Sequence, residues 1–584
     1  MNAATEAQQH SGRLSLVERA KRSGRKHVGW SILGPAQNSG RITLSKSNRK
    51  WQRAGSFVVP LLLGVLLIAC AQSAGSGQQT APAASTGAAK PTGEFTYVDR
   101  DLGQERWDPS LSAPLLSLGG GPIYETLFLH WPGKADVRPF LLESGKMADD
   151  AMSWTLKLKN GIRFSNGDPM TADDVKFSLD RFRSDVSVTS SAAQLRKSIK
   201  DVQVVDPGTV RVGLNEPLIN LDVLLAGDVG NDGIVLPKKY IEQIGWEQFN
   251  QKPIGSGPYR MTEHKTGESV TFEAVENHWR ATPRFSKVRY LMVPEERTRI
   301  SMLRAGQADL VRIGAENRKE IEQAGFKSLV VPYEASWRVQ FWGAYGDYPD
   351  HPLKRLEVRK ALNISINRQE MLDALYAGAG EVAAYAHSIP GYTLGAPKLP
   401  VPAFDQAEAR RLLQQAGYPS GFELTIDALN VGCSMEETTR FAVALAGYWE
   451  KIGVKTKVVP SDYTTYRPKT TGTRHTPDIV GHASTICTGG SFLASRDLSA
   501  FWWSKGGFKL SDAADAEIEK ANAAKSQDEM VRWVEAAYRK LYDAQANIGV
   551  FHGGTLFAGN QKAADLPVTP GFPNLGMWLV YDKP

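Results

Sequence analysis

The stretch SWTLKLKNGIRFSNGDPMTADDVKFSLDRF, residues 153–182, decides the fold class because it joins a strand pattern directly to a helix pattern. In residues 154–164, apolar and polar side chains alternate on either side of Asn160-Gly161, which predicts a β-hairpin. Thr171 then precedes a run of apolar residues at helical spacing, which predicts a helix capped by Thr171. The apolar positions of this helix are Val175, Leu179 and Phe182.

The same mixture of strands and helices continues along the chain. KDVQVVDPGTVRVGL (residues 200–214) predicts a second hairpin, with Val202 and Val204 on one arm against Val210 and Val212 on the other, turned by Asp206-Pro207-Gly208. SVTFEAV (269–275) and VKTKVV (454–459) are typical of strands. A helix begins after Asp405, with Glu408 in capping-box position, and another covers the apolar positions of residues 441–452. This alternation favours an α/β protein.

The amino-terminal part carries an export pattern. Residues 57–69 are uncharged and apolar and follow a basic flank, but as a helix they would be only about 20 Å long, short of a membrane span. The run ends in Leu67-Ile68-Ala69-Cys70, which resembles the lipobox of bacterial lipoproteins. The resemblance implies that residues 1–69 are a lead-in and signal peptide and that Cys70 is lipidated. The alternative is an ordinary signal cut a few residues later, with Cys70 incidental.

Residues 70–93 are rich in Ala, Gly, Ser and Pro and predict a flexible tether. Residues 1–69 hold 11 of the 69 Lys and Arg but 2 of the 62 Asp and Glu. The remaining chain has 58 basic and 60 acidic residues, so its net charge is about −2 and it offers no general affinity for nucleic acid. Cys433 and Cys487 pair in an oxidising compartment or remain two buried thiols, and the sequence leaves both readings open.

Several stretches resemble, in the right order, the extracellular solute-binding proteins of family 5, the dipeptide, oligopeptide and nickel class of ABC-importer receptors. The resemblance runs from about residue 95 to the end. The matching stretches are residues 153–182, PIGSGPYRM (253–261), NHWR (277–280), LRAGQADL (303–310), VRKALNISINRQEMLDALYAGAG (358–380) and FDQAEARRLLQQAGYPSGFELTI (404–426).

The resemblance implies a two-lobed periplasmic-binding-protein type II fold with an extra subdomain and a ligand held between the lobes. Lobe I is expected at about 94–332 plus 546–584, with the subdomain at about 137–250, and lobe II at 333–545. The expected protein is a monomeric lipoprotein of the periplasm or cell surface. It passes a peptide, modified peptide or oligosaccharide-like solute to an ABC permease and its ATPase, with no cofactor, metal or catalysis of its own. The alternatives are a receptor or chaperone of the same fold without a transport role, and a lipid-anchored hydrolase.

Aromatic and polar side chains at strand ends are the candidate ligand contacts. Aromatic rings offer large contact area at low entropic cost. They are equally typical of core packing, and for any single ring the core is the commoner place. The candidates are Tyr124, Trp337, Phe341, Trp342, His482, Ser484, Phe492, Trp502 and Trp503.

One departure from the family bears on the ligand. Peptide-binding members have, in the segment here read as DIVGHASTICTGGSF (478–492), an aspartate that pairs with the peptide's free amino terminus. In this chain no acidic residue follows Asp478 before Asp497, although Asp497 or Asp427 is able to substitute. Because an unpaired buried ammonium is costly, simple peptides are less favoured than modified peptides, oligosaccharides, opine-like compounds or other neutral polar solutes.

Overall fold

The computed structural model describes residues 90–568 and 579, except for 104, 113–119, 131–136, 190, 227–230, 346–347, 386–394, 431–432, 463–465, 467–468, 470–475 and 490–513. The predictions for the signal peptide, the lipidated Cys70 and the tether before residue 90 lie outside the described residues, as do Phe492, Trp502 and Trp503. Within the described part of the chain, no helix is both long and apolar enough to cross a membrane.

Strands and helices alternate throughout, as the sequence predicts. The strands are β1 (Glu94–Asp99), β2 (Phe128–His130), β3 (Val137–Pro139), β4 (Leu142–Met147), β5 (Ser153–Leu158), β6 (Ile199–Asp206), β7 (Thr209–Leu214), β8 (Tyr259–Lys265), β9 (Ser269–Ala274), β10 (Lys287–Met292), β11 (Leu310–Ile313), β12 (Lys327–Phe341), β13 (Gly380–Val382), β14 (Glu423–Leu429), β15 (Lys455–Ser461), β16 (Ala483–Gly489) and β17 (Asn547–Gly559). The helices are α1 (Ala172–Phe182), α2 (Ala192–Ser198), α3 (Leu221–Leu224), α4 (Lys238–Ile244), α5 (Trp246–Gln251), α6 (Glu296–Arg304), α7 (Arg318–Gln323), α8 (Leu356–Ile364), α9 (Arg368–Tyr376), α10 (Gln406–Gln415), α11 (Met435–Glu450), α12 (Asp515–Asn522) and α13 (Gln527–Asp543).

An eleven-stranded sheet runs through both lobes in the order β15-β14-β16-β12-β17-β11-β1-β10-β9-β8, with β13 also paired to β17. At one end β14 is parallel to β15 and β16, and at the other end β1 is parallel to β10 and β11. Strands β12 and β17 lie between these two groups and pair antiparallel with each other. The sheet therefore consists of two parallel groups joined by two long strands.

Each parallel group has its own hydrophobic core. In β12, Leu329 and Val331 pack into the first core, whereas Ala335 and Trp337 pack into the second. In β17, Phe551 packs into the second core and Phe557 into the first, so the change of core falls between these two residues. The two crossing strands thus leave one core and enter the other over a few residues each.

The crossing is irregular in its backbone. The β12–β17 register shifts between Val331 and Ala335, and Tyr333 in that interval has a φ of 62°, a left-handed value that is uncommon outside glycine. Gly554 lies opposite, where a Cβ atom would come within 2.7 Å of the Val330 side chain and 2.9 Å of the Val331 carbonyl oxygen. A side chain at this point would hold the two strands apart.

A separate four-stranded sheet, in the order β4-β5-β7-β6, packs with α1 and α2. The predicted β6–β7 hairpin is confirmed, and its register places Val202 opposite Val212 and Val204 opposite Val210. The helix predicted after Thr171 is confirmed as α1, and Asp174 accepts a hydrogen bond from the Thr171 backbone N–H at 2.8 Å.

The hairpin predicted over residues 154–164 is wrong in its second arm. Strand β5 ends at Leu158, and the chain beyond the turn makes only an isolated bridge between Arg163 and Pro169. The physical reason is that both edges of β5 are already occupied, one by β4 and the other by β7. The turn at Asn160-Gly161 therefore leads out of the sheet instead of back along it.

Candidate functional site

The carboxyl ends of the two parallel groups face one crevice. Arg100 follows β1, Gly314 follows β11, and Cys433 lies four residues beyond β14. In open α/β sheets, ligands bind just beyond the carboxyl ends of parallel strands, where loops supply the contacts and the sheet fixes their positions. This crevice is therefore the candidate functional site.

The crevice is partly open to solvent, and its cavity volume is about 80 Å³. Both lobes contribute side chains to its walls. The lining residues are Arg312, Ile313, Gly314, Ala315, Glu316, Ala335, Trp337, Leu375, Tyr376, Cys433, Glu437, Arg440, Gly554, Thr555 and Leu556. Charged groups thus stand beside an apolar floor.

An ion pair joins the lobes at the rim of the crevice. The Arg100 guanidinium of lobe I donates to Glu437 Oε2 of lobe II at 3.1 Å. The Arg100 side chain is 31% exposed and the Glu437 side chain is 26% exposed. Glu437 also closes a capping box at the start of α11, where its Oε2 accepts from the Ser434 backbone N–H at 2.9 Å. Burial alone would raise the pKa of Glu437, but Arg100, the Ser434 N–H and Arg312 lower it to about 2, so the carboxylate remains ionised.

Trp337 forms part of the crevice floor while most of its ring lies in the core. It is 1 % exposed and stacks on Phe441 at a centroid distance of 4.4 Å. Its indole N–H donates to the Tyr376 hydroxyl at 2.8 Å. Of the described residues that the sequence analysis named as candidate ligand contacts, Trp337 is the one that lines the crevice, together with its partner Tyr376.

Cys433 and Cys487 form a disulfide, which settles the alternative that the sequence left open. Their Cα atoms lie 5.7 Å apart across a sequence separation of 54 residues. Cys433 immediately precedes Ser434, the N-cap of α11, and Cys487 lies beside Trp337 in the β12–β16 ladder. The disulfide therefore fixes the start of α11, and with it Glu437, to the sheet beneath the crevice.

Three other candidates, Trp342, Ser484 and His482, converge on a buried network behind the sheet instead of on the crevice. The Trp342 indole N–H donates to Ser484 Oγ at 2.5 Å, and Ser484 Oγ lies 3.1 Å from the Tyr466 hydroxyl. That hydroxyl donates to Asp427 Oδ2 at 2.7 Å, and His482 Nδ1 lies 3.0 Å from the same oxygen. Burial, and then the Asp427 charge, raise the pKa of Tyr466 well above its usual range.

This network does not have the geometry of a hydrolase. A serine nucleophile needs a base within hydrogen-bond reach of its hydroxyl. Ser484 instead accepts from Trp342, and because the Tyr466 proton goes to Asp427, Ser484 donates to Tyr466. His482 bonds to Asp427. The side chains therefore satisfy one another in a chain that orders the loop before β16.

The remaining described candidates lie in the cores. Tyr124 is 2 % exposed and its hydroxyl donates to the Trp107 carbonyl at 2.7 Å in lobe I, while Phe341 packs in the second core. Glu125, next to Tyr124, accepts from Trp279 Nε1 at 2.9 Å and from Arg280 Nε at 2.7 Å. The NHWR stretch thus holds the loop of Tyr124 in place.

Sequence reasoning missed the charged residues of the crevice, Arg312, Glu316, Glu437 and Arg440. Glu437 had a local pattern, since Ser434 and Glu437 have the spacing of a capping box just beyond a predicted strand. Arg312 had none, because a basic residue within a four-residue strand is ordinary in sequence. The described residues contain no group of three or more His, Cys, Asp or Glu placed to hold a metal ion.

Two hinged α/β lobes with a lined crevice between them define the architecture of a solute-binding protein. Residues 136–489 match the family described as "Bacterial extracellular solute-binding proteins, family 5 Middle". Because that match covers more than half of the chain, the chain belongs to the extracellular solute-binding proteins of family 5. Members of this family serve ABC importers as substrate-binding proteins and are not enzymes, and both points confirm the sequence prediction.

The names of similar proteins refer to different ligands. Heme-binding protein A of Haemophilus influenzae is 26% identical over 460 residues, covering 71% of this chain and 79% of that protein. Di/tripeptide-binding protein 1 of Pseudomonas aeruginosa is 26% identical over 385 residues, covering 60% of this chain and 68% of that protein. The periplasmic binding protein DppA from Helicobacter pylori, solved with the peptide STSA, has a TM-score of 0.66 at 20% identity, covering 84% of this chain and 98% of that one. The shared fold confirms the predicted fold class.

Proposed function

We propose that this chain is the extracytoplasmic receptor of an ABC importer, anchored to the membrane through a lipidated Cys70. It binds a peptide or another small polar organic solute between its lobes and delivers it unchanged to a permease and its ATPase. The lobes are those expected from the sequence, 94–332 plus 546–584 and 333–545, with the subdomain at 137–250. The change of core in β12, between Val331 and Ala335, supports the boundary at 332/333, whereas in β17 the core changes only after Phe551, later than the proposed boundary at 546.

The observation that carries the proposal is the crevice at the carboxyl ends of both parallel groups, with walls drawn from both lobes. A solute in this place contacts lobe I through residues such as Thr555 and lobe II through Tyr376, so its binding favours the closed arrangement. A closed receptor presents one shape to its permease, and tethering keeps it near the membrane.

The charges around the crevice bear on the class of solute. Within the described residues of 478–492, Asp478 is the one acid, and it is exposed and paired with Lys469 at 2.5 Å. Asp427 bonds to Tyr466 and His482 and does not line the crevice. These placements support the proposal that neither Asp478 nor Asp427 holds a peptide amino terminus in the crevice, while Asp497 lies outside the described residues.

The proposal is tested by native mass spectrometry of the protein as purified, which weighs any solute it retains. Thermal shifts with Ser-Thr-Ser-Ala, glutathione and maltotriose then sample peptide, modified peptide and oligosaccharide. Leu375→Trp, which fills the crevice, is expected to abolish both the retained mass and the thermal shift. Leu412→Trp is the matched control, because Leu412 is also a partly buried leucine against the second core but lies outside the crevice. Equal binding by both variants would place the ligand elsewhere.

A further inference from the structure

Tyr376 contacts both crossing strands beside the place where they change cores. It is the last residue of α9 and lines the crevice. Its ring lies against β17, because a Cβ atom placed on Gly553 would come within 2.7 Å of Tyr376 Cε1. Its hydroxyl accepts a hydrogen bond at 2.8 Å from the indole N–H of Trp337 in β12. One side chain of the crevice wall thus contacts the backbone of one crossing strand and a side chain of the other.

The segment after Tyr376 binds to β17 at the same place. Helix α9 ends at Ala377, whose φ of 47° is a left-handed value that turns the chain directly into β13. Strand β13 pairs antiparallel with β17, and the Gly554 N–H donates to the Ala379 carbonyl at 2.8 Å. Residues 376–382 therefore hold β17 immediately before the stretch of this strand that lines the crevice.

We infer that Tyr376 is a positioning residue for lobe closure: its ring, packed on the backbone of Gly553, joins the crevice wall to the crossing strands and favours the closed arrangement. This inference rests on the proposed function, since it concerns the same crevice. The lobes are in contact here through Arg100 and Glu437, and the packing of the ring belongs to that arrangement. Position 553 requires glycine, because a larger side chain would occupy the volume of the ring.

The burial of Tyr376 distinguishes it from the rings beneath it. Trp337 and Phe551 lie inside the second core. Tyr376 is partly buried, packs against this core with its ring centroid 5.4 Å from that of Phe551, and lines the crevice. A solute that contacts this ring therefore acts on a group that already contacts β17. Only a contact that differs between the open and closed arrangements changes their ratio, and this is the property to measure.

The first experiment measures the ratio of closed to open molecules, without a solute and again with Ser-Thr-Ser-Ala, glutathione or maltotriose. Spin labels at Thr266→Cys and Lys455→Cys, exposed positions near opposite ends of the eleven-stranded sheet, report the distance between the lobes by pulsed electron paramagnetic resonance. Every variant carries Cys70→Ser and keeps the native disulfide oxidised, so that the label reacts with the two introduced thiols. Gly553→Ala is expected to lower the ratio of short to long distances about tenfold, a usual scale for one overpacked methyl group. Gly447→Ala is the control, because a Cβ atom there meets no atom within 4 Å.

A double-mutant cycle separates this coupling from independent damage. Tyr376→Ala removes the ring and is expected to lower the ratio by a similar factor. Adding Gly553→Ala to Tyr376→Ala is expected to have no further effect, because the methyl group enters the space that the ring has left, whereas two independent effects would multiply to about a hundredfold. Tyr376→Phe keeps the ring and is expected to retain most of the wild-type ratio. Tyr418→Ala is the matched control, because Tyr418 is also a partly buried tyrosine against the second core but lies outside the crevice.

The inference is overturned if Gly553→Ala leaves the ratio unchanged, or if the two substitutions act independently. Melting curves check that each variant is folded, and where Gly553→Ala does not fold, an equal loss in Tyr376→Phe and Tyr376→Ala overturns the role of the ring. A retained solute in the native mass spectrum, together with any of these results, would leave the receptor role standing and refute the role of Tyr376. Solute binding that Leu375→Trp leaves unchanged would instead refute the crevice itself.

Discussion

The disulfide between Cys433 and Cys487 gives the sharpest prediction of stability. Opening it, by reduction or by the double substitution Cys433→Ser with Cys487→Ser, releases a loop of 54 residues in the unfolded chain. Chain-entropy reasoning for a loop of this length gives a loss of roughly 4 kcal/mol. For a lobe of this size, that corresponds to a fall in melting temperature of roughly 10 °C.

The disulfide also affects the site, because Cys433 directly precedes the Ser434 cap of α11. Once Cys433 is released, Ser434 and Glu437 are no longer tied to β16 beneath the crevice. The contact between Arg100 and Glu437 is therefore expected to weaken together with the stability of lobe II. Small-angle scattering should show a larger radius of gyration for the reduced protein.

The assay is a thermal melt with and without dithiothreitol, paired with alkylation and peptide mapping under denaturing conditions. Unreduced protein is expected to show both cysteines blocked in one cross-linked pair of peptides. The reasoning fails if both thiols alkylate freely before reduction. It also fails if the disulfide is present but its reduction moves the melting temperature by no more than a degree.

Three further predictions concern the interior. Trp337→Ala removes a stacked, fully buried ring and is expected to destabilise the protein by about 3–5 kcal/mol. Trp337→Phe loses mainly the hydrogen bond to Tyr376 and is expected to cost about 1 kcal/mol. Urea unfolding midpoints measure both losses, and similar midpoints for the two variants would contradict this reasoning. Asp427→Asn leaves Tyr466 and His482 without their charged acceptor and is expected to cost about 1–3 kcal/mol, against little change for exposed Asp478→Asn. Burial raises the pKa of Asp222 to about 6, and the hydrogen bond from the Val223 N–H offsets this only in part. The cost in folding stability of ionising this buried carboxyl group is therefore absent near pH 4 and grows as the pH rises to 6. Asp222→Asn is expected to raise the melting temperature at pH 7.5 and not at pH 4, and an equal gain at both pH values would refute burial as the cause.

Local patterns predicted the elements whose pairing is settled by a short turn. The β6–β7 register follows from Asp206-Pro207-Gly208, because two strands joined by a tight turn have little freedom to slip. Helix α1 follows from the Thr171 cap, because the capping residue and the helix are adjacent in the sequence. The second arm of the hairpin at residues 154–164 failed because its place was taken by β7, about fifty residues further along, and no local pattern shows that competition.

The crevice could not be assembled from the sequence. Arg100 and Glu437 meet across 337 residues, and each is ordinary in its local context. Aromatic content predicted Trp337 but equally predicted Trp342, which directly follows β12 and packs in a different cluster from Trp337. Side chains alternate between the two faces of a strand, and these two residues are separated by an odd number of positions. The choice between the two faces depends on which side of the sheet receives α11, and that is set by tertiary packing.

Few contacts between the described side chains join the lobes away from the crossing strands. Of the ion pairs between described side chains, the one that joins the lobes away from the crossing strands is Arg100 with Glu437. A partly exposed pair of this kind contributes about 1 kcal/mol or less. The irregular crossing at Tyr333 and Gly554 separates the two cores, so the lobes can turn without disturbing either. On the proposed receptor role, a guest that touches both walls selects the closed arrangement by its differential affinity for that arrangement.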